Sequence, residues 1–404
     1  MQALLEQQSK SKSRLEKVKV GAFFMEPGTG KTRPCVELIQ DINPDYVLYI
    51  APYQCINASN YSESTRHEIE KWGGFNCDWD LVAVETIQAS DRTYLNLHKK
   101  LQKSTNAVIV CDESIKIKNI NSKRTKRLLE LSKLSEFRYI LNGTPITRNL
   151  YDLYPQMEFL SPSILAMPES EFKNSFVEWK KITIRKPGTY KAISREWIVK
   201  YHNLDYLYEL IKPYVFQANL ELNVGLQEIP IYYELSNDEK EEHKRIMEEI
   251  LSDEWLMAKP NFFLQLTQKL QNNYSRNEEK FVILGNILKE NPDTLVVAKY
   301  IETQDELKHR FPNARILSWQ KNAFGLNLQQ YNKMLLFDQH WDYALFDQII
   351  KRIFRTGQKH DCIVWRLVGD CGLEKMMWNN VDKKADMLNE FKKLSKEELI
   401  KELI

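Results

Sequence analysis

A glycine-rich loop directly after a short apolar run constrains the fold of this 404-residue chain more than any other feature. The run VGAFFM (20–25) is followed by EPGTGKT (26–32). In a strand–loop–helix unit of this type, backbone N–H groups and the helix N-terminus point at phosphate oxygens. The strict pattern has glycine at position 25, where this chain has Met25. The sequence therefore predicts a phosphate-binding loop, and the alternative is a glycine-rich turn without a ligand.

Short apolar runs alternate with polar or amphipathic stretches on either side of a proline-punctuated middle segment. Apolar runs at 45–52, 107–111 and 138–145 follow the first one, and a second series begins near residue 294. This alternation is typical of parallel sheets flanked by helices. We therefore predict an α/β fold of two parallel-sheet lobes with a mainly helical or irregular insertion between them. The expected division is 1–160 for the first lobe, 161–230 for the insertion and linker, and 231–404 for the second lobe with a C-terminal helix over 383–404.

Composition excludes several classes of protein. The net charge is +2, with 57 basic against 55 acidic residues, so a nucleic-acid contact depends on local arrangement. Six cysteines without a CxxC pair disfavour a zinc site or a disulfide framework. The N-terminus is polar and no apolar run approaches the ~20 residues that span a bilayer. We expect a cytoplasmic protein that does not contact membranes.

Two acidic residues follow the apolar run AVIVC, and a threonine turn follows the next run. At a strand end, the carboxylate of Asp112 is suited to hold Mg²⁺, and that of Glu113 to polarise an attacking water. The alternative is a polar strand terminus, which is common in α/β proteins. The Gly-Thr-Pro turn that contains Thr144 is predicted to be structural when considered alone.

Arg352 and Arg355 lie three residues apart in a segment predicted to be a helix over 343–355. Two arginines at this spacing share one helical face, and the planar, permanently charged guanidinium suits a polyphosphate. A solvated helix face or a surface salt bridge is the alternative.

Taken in chain order, these segments resemble the Swi/Snf-type ATPases of the superfamily-two (DEAD/DEAH-box-like) helicases. Five ordered motifs and one segment similar to the family's connection between its lobes carry the resemblance, which covers almost the whole chain. The matching segments are EPGTGKT, CDESIKIKN (111–119), LNGTPITRNLYDLYPQMEFL (141–160), IKPYVFQ (211–217), LSWQKNAFGLNL (317–328) and DQHWDYALFDQIIKRIFRTGQKHDCIVWRLV (338–368).

The resemblance implies two RecA-like lobes with ATP and Mg²⁺ in the cleft between them, and closure of the lobes linked to stepping along double-stranded DNA. It implies that Arg352 and Arg355 stabilise the γ-phosphate charge, and that Glu113 holds the hydrolytic water. The remaining implied roles are phosphate binding by Gly28, Thr29, Gly30 and Lys31, Mg²⁺ binding by Thr32 and Asp112, nucleotide contact by Gln348 and by Gln7 or Gln8, and nucleic-acid contact or coupling by Thr144, Asn327 and Trp341.

Departures from the family pattern indicate a compact form. One strand–helix unit is missing before the motif that contains Asn327, and QANLELN replaces the arginine-rich stretch usual after IKPYVF. We expect a monomeric bacterial or phage enzyme to which a protein partner supplies specificity. The basic stretch 180–200 is a candidate for contact with the phosphate backbone, and a solvated loop is the alternative. A strand-separating DNA or RNA helicase and a catalytically decayed DNA-binding subunit remain the alternatives.

Overall fold

The computed structural model describes residues 3–378, apart from 59–60, 144, 147–148, 186–191, 221, 252–261, 320–327, 341, 372 and 376. Within these ranges it contains two parallel sheets and one antiparallel pair of strands. The predicted α/β fold with two RecA-like parallel-sheet lobes is confirmed. No helix in the described ranges is both long and apolar enough to cross a membrane.

The first sheet has six parallel strands, β1 (Val20–Met25), β2 (Tyr46–Ala51), β3 (Asp78–Ala83), β4 (Ala107–Asp112), β5 (Phe137–Asn142) and β8 (Val215–Ala218). Their order is β3-β2-β4-β5-β1-β8. Every residue of β1 and β2 is buried, as is typical of parallel strands covered on both faces. Because β4, β5 and β1 are neighbours, the residues that follow them reach the same edge of the sheet.

Nine helices described by the structure belong to the first sheet, which with them forms what we call the first lobe. They are α1 (Glu6–Leu15), α2 (Thr32–Ile42), α3 (Tyr53–Ile56), α4 (Thr65–Lys71), α5 (Val84–Ala89), α6 (Asp91–Lys103), α7 (Lys123–Ser132), α8 (Tyr154–Leu160) and α9 (Pro162–Leu165). The serines before α4, α6 and α7 each accept a backbone N–H of the first turn, which stabilises a helix start.

Alternate residues of β1 face two different cores. Ala22 and Phe24 pack into one cluster of buried side chains, whereas Phe23 and Met25 pack into the cluster on the opposite face. This is the period of two expected of a strand covered by helices on both sides. Met25, which replaces the glycine of the strict loop pattern, is thus a core residue.

The segment between α9 and the second sheet contains a long antiparallel ribbon. The ribbon is formed by β6 (Val177–Arg185) and β7 (Ala192–Tyr201), which pair antiparallel. The helices α10 (Glu169–Phe176) and α11 (Leu204–Ile211) lie before and after it in the chain. The segment 161–230, predicted to be mainly helical or irregular, therefore also contains strands. The prolines of this segment indicate a linker, whereas the alternation of polar and apolar residues in KITIR indicates a strand. The structure has a strand at KITIR.

The second sheet has five parallel strands in the order β11-β10-β12-β13-β9. With its helices it forms the second lobe. These strands are β9 (Leu226–Tyr233), β10 (Leu295–Ala298), β11 (Arg315–Ser318), β12 (Lys333–Leu336) and β13 (Cys362–Gly369), and the helices are α12 (Asn237–Leu251), α13 (Phe262–Tyr274), α14 (Glu278–Glu290), α15 (Ile301–Arg310) and α16 (Tyr343–Ile350). The predicted C-terminal helix over 383–404 lies outside the described residues.

A buried ion pair fixes the chain just after β12. Lys280 Nζ lies 2.9 Å from Asp338 Oδ1, and both side chains are almost inaccessible to solvent. The other carboxylate oxygen of Asp338 accepts a hydrogen bond from the backbone N–H of Lys299 at 2.9 Å. The backbone carbonyl of Asp338 accepts one from Trp319 Nε1 at 2.8 Å. These bonds fix the start of the segment that leads into α16.

Candidate active site

The loop between β1 and α2 has the backbone geometry of an anion-binding loop. Gly28 and Gly30 have φ values of +91° and +74°, which side chains other than glycine rarely adopt. Thr29 is buried, and both its N–H and its hydroxyl bond to the carbonyl of Glu26, at 3.2 and 2.8 Å. The loop runs directly into α2, which begins at Thr32. Backbone N–H groups and a helix N-terminus are therefore available to one ligand.

Two carboxylates follow β4 at the same edge of the first sheet. Asp112 ends the strand, and Glu113 is buried in the left-handed conformation with a φ of +50°, which is uncommon for a residue with a side chain. The N–H of Glu113 donates to Asp112 Oδ1 at 2.9 Å. Burial and the negative charge of Glu113 raise the pKa of Asp112 to about 6, although Lys31 opposes the shift. A cation beside these carboxylates would remove their repulsion.

The two arginines come from the second lobe, but not from within a helix. The prediction of a helix over 343–355 is wrong in its extent, because α16 ends at Ile350. Beyond it the N–H groups of Arg352 and Ile353 bond three residues back, at 3.1 Å, so the chain continues in tighter turns. Arg352 is buried and Arg355 is partly buried, and both line the cleft described below.

Arg355 is a partly buried cation beside a second cation, Arg352. Burial, together with the positive charge of Arg352, lowers its pKa to about 10, while Glu68 acts in the opposite direction. Its Nε is buried and has no hydrogen-bond acceptor within the described ranges. An anion between the two guanidinium groups would satisfy the free donor and offset the repulsion.

The loop and the arginine segment are in direct contact across the two lobes. Thr356 N donates to the carbonyl of Gly28 at 3.1 Å. A Cβ atom on Gly28 would lie 2.6 Å from Arg355 Cβ, so only glycine permits this approach. Between these walls is a cleft lined by residues of both lobes. Its lining comprises Pro27, Gly28, Gly30, Lys31, Thr32, Cys55, Ser62, Ser64, Thr65, Glu68, Asp112, Glu113, Arg352 and Arg355.

The structure distinguishes between the two glutamines proposed near the loop. Gln8 is buried, and its Nε2 donates to the carbonyls of Thr29 and Gly30, both at 3.2 Å. Gln7 is partly exposed, because successive residues of α1 point about 100° apart. Gln8, rather than Gln7, therefore contacts the loop.

The other predicted residues do not all reach the cleft. Gln348 is buried, its Oε1 has no partner among the described residues, and it is not part of the described lining. Thr144, Asn327 and Trp341 lie outside the described residues.

Several lining residues were not predicted, and they come from the segment after β2. Cys55 lies on α3, whereas Ser62 and Ser64 precede α4 and Glu68 lies on it. No motif marks them in the sequence. The available signal is topological: β2 is the neighbour of β4, so the residues that follow both strands meet at one edge.

Comparisons with known proteins agree with the ordered motifs. A family model described as the SNF2-related domain matches residues 53–272, more than half of the chain. Similar proteins include "DNA repair and recombination protein RAD54-like" of Gallus gallus, 22% identical over 466 residues that cover 89% of this chain and 62% of the relative. The protein of the same name from Drosophila erecta is 21% identical, with 89% and 58% covered. "DNA repair and recombination protein RDH54" of Saccharomyces cerevisiae (strain RM11-1a) is 23% identical, with 72% and 39% covered.

The chain is shorter than these relatives in two respects. It spans 62% and 58% of the length of the two RAD54-like proteins. The alignment with the Gallus gallus protein extends over 466 positions, more than the 404 residues of this chain. The relative therefore contains segments within the aligned region that have no counterpart here.

Proposed function

Because this chain belongs to the SNF2-related family, we propose that it is a Swi/Snf-like nucleic-acid motor that hydrolyses ATP in the interlobe cleft and translocates on duplex DNA. Relatives named as DNA repair and recombination proteins support DNA as the polymer. The proposed domain organisation is a lobe over 1–160, a middle segment over 161–230 and a lobe over 231–404. Of the middle segment, β8 joins the first sheet and the start of β9 joins the second.

One observation carries this proposal: two pairs of like charge, one basic and one acidic, line the same cleft. Burial and the positive charge of Arg352 lower the pKa of Arg355, whose buried Nε has no acceptor among the described residues. Glu113, together with burial, raises the pKa of Asp112. A polyphosphate fits beside the first pair and a divalent cation beside the second, so ATP with Mg²⁺ would balance both.

The donor set fits Mg²⁺ bound together with nucleotide. No group of three or more His, Cys, Asp or Glu side chains among the described residues is arranged to hold a metal ion. Mg²⁺ in nucleotide sites instead uses one or two protein oxygens, substrate phosphates and water. The hydroxyl of Thr32 and the carboxylate of Asp112 are the proposed protein ligands. When bound, Mg²⁺ would neutralise charge on the phosphates.

Different residues of the cleft would have different roles in hydrolysis. The loop N–H groups at Gly28 and Gly30 would bind phosphate oxygens, with Lys31 at the β- and γ-phosphates. Thr29 stays a proposed phosphate contact, for which its N–H would exchange the carbonyl of Glu26 for a phosphate oxygen. Glu113 would orient the attacking water and accept its proton. Its left-handed backbone turns the residue away from the strand direction, and the side chain lines the cleft.

Arg352 and Arg355 are proposed to stabilise charge on the transferred phosphoryl group. An arginine in this role contributes about 10³ to 10⁵ in rate. Both come from the second lobe, so hydrolysis would require the lobe contact formed by Thr356 and Gly28. Gln8 is the proposed nucleotide-side residue of α1, in place of Gln7. Thr144, Asn327 and Trp341 remain proposed contacts to DNA or coupling residues, and Gln348 a proposed nucleotide contact.

The test is ATP hydrolysis measured with duplex DNA, single-stranded DNA, RNA or no polymer. We expect duplex DNA to stimulate turnover. Lys31→Ala and Arg352→Ala should reduce kcat by about 10³ or more, whereas Lys133→Ala, at an exposed site on the first lobe, should not. Polymer-independent turnover, or unchanged rates in the cleft variants, would contradict the proposal. Displacement of a third strand from a triplex would report translocation, and unwinding of a forked duplex would support the helicase alternative.

The remaining features of the motor are also proposals. The loss of one strand–helix unit in the second lobe stays a proposal. Between β10 and β12 the structure describes α15 and β11. A monomeric form, a protein partner that supplies specificity, a cytoplasmic location and a bacterial or phage source stay predictions.

A further inference from the structure

Glu26, the first residue of the loop, connects three parts of the molecule. Its Oε2 accepts the N–H of Leu220 at 2.9 Å and lies 3.1 Å from Lys351 Nζ. Its own N–H donates to the carbonyl of Ala218 at 2.9 Å, and its carbonyl accepts both bonds from Thr29. One residue thus contacts the loop, the segment between the sheets, and the second lobe.

Lys351 is held between two carboxylates. Besides Glu26, it contacts Asp347 of α16 at 3.0 Å. Its side chain is only 12% exposed and that of Glu26 34%, so water screens their attraction less than it screens a surface pair. Lys351 immediately precedes Arg352, and any movement of one moves the other.

We propose that Glu26 and Lys351 form an interlobe latch that positions Arg352 and Arg355 against the loop. Neither partner is among the described residues that line the cleft, so their role is positioning rather than contact with substrate. The latch acts together with the bond from Thr356 to the loop. The effect of the latch on hydrolysis rests on the proposed function. The effect of the latch on the bond between Thr356 and Gly28 does not.

Backbone exchange in the nucleotide-free protein tests the latch independently of hydrolysis. Glu26→Gln removes the charge but keeps an oxygen that can accept the N–H of Leu220, and Lys351→Met removes the cation but keeps the aliphatic stem. Deuterium uptake is measured for the peptide that contains Thr356, whose N–H is protected by the carbonyl of Gly28. The matched control is Glu130→Gln with Lys133→Met, which breaks an exposed pair on the first lobe.

We expect each single variant to speed exchange of the Thr356 peptide about fivefold, consistent with the loss of one partly screened ion pair. The double variant should show the same increase as Lys351→Met alone, because that variant already breaks the pair between the lobes. The control should match the parent. Unchanged exchange in the single variants, or increases that add in the double variant, would overturn the latch.

Kinetics separate this inference from the proposed function. If the protein hydrolyses ATP, both single variants should lower kcat about fivefold, with affinity for a non-hydrolysable ATP analogue within twofold of the parent. If kcat is unchanged while exchange increases, the latch does not position the arginines for the reaction. If the parent does not hydrolyse ATP, the proposed function fails while the exchange result still decides the latch.

Discussion

Replacing Asp112 by asparagine is expected to stabilise the ligand-free protein while it abolishes hydrolysis. Burial and the neighbouring Glu113 raise the pKa of Asp112 from 3.8 to about 6, against the opposing charge of Lys31. At neutral pH the folded protein therefore holds a carboxylate that its surroundings disfavour. Asparagine keeps the shape of the side chain and an oxygen that can accept the N–H of Glu113, but it carries no charge.

The size of the effect follows from the shift in pKa. A shift of about two units at ~1.4 kcal/mol per unit destabilises the folded state by roughly 3 kcal/mol. Because the folded-state pKa is raised, this cost is fully present above pH 6 and disappears as the pH falls through 6 to below 3.8. Because the entropy of unfolding grows with chain length, Asp112→Asn should thus raise the melting temperature by roughly 3–5 °C at pH 7.5. The difference should become small near pH 4.

Calorimetry on the parent and Asp112→Asn at pH 7.5, 6, 5 and 4 measures the difference, with Glu130→Gln as a control at an exposed carboxylate. In the same scans, ATP with Mg²⁺ should raise the melting temperature of the parent more than that of the variant, because the variant lacks a proposed metal ligand. A variant that melts below the parent at pH 7.5, or a gap that does not narrow towards pH 4, would refute the electrostatic reasoning.

Three further substitutions test other contacts. Gly28→Ala should lower kcat at least tenfold, because its Cβ would lie 2.6 Å from Arg355 Cβ; a normal steady-state rate would exclude the closed contact during turnover. Lys280→Met should reduce the urea-derived free energy of unfolding by about 3–5 kcal/mol by leaving Asp338 buried and unpaired, and a loss below 1 kcal/mol would contradict this. Gln8→Ala should weaken ATP binding about fivefold in calorimetric titration, while alanine at position 7 should not.

The positions of the loop and the acidic pair could be predicted because each depends on a short local pattern. A buried parallel strand is a continuous apolar run, and the residues after it must lie at the sheet edge. This reasoning predicted that the loop begins after Met25 and that Asp112 and Glu113 lie at the end of β4. The same reasoning did not predict β3, because this edge strand contains Asp78 and Asp80 and is not a continuous apolar run.

Features that depend on how elements pack were not available from the sequence. Which glutamine of α1 faces the loop depends on the rotation of that helix against the first lobe, and neighbouring residues of a helix are equally plausible from periodicity. The end of α16 at Ile350 likewise reflects tighter turns within a segment whose residues favour a helix. The contribution of Cys55 and Glu68 to the cleft arises from sheet order, which no local pattern encodes.

The connection between the two sheets limits how far the halves of the cleft can separate. Seven residues, 219–225, join β8 to β9. β8 is bonded to β1, which carries the loop, and β9 to β13, which follows the arginines. Such a tether reaches at most ~25 Å, so the arginines face the loop at an effective concentration that is millimolar in order of magnitude. The arginines are thus supplied in cis, and each chain carries both walls of its own cleft.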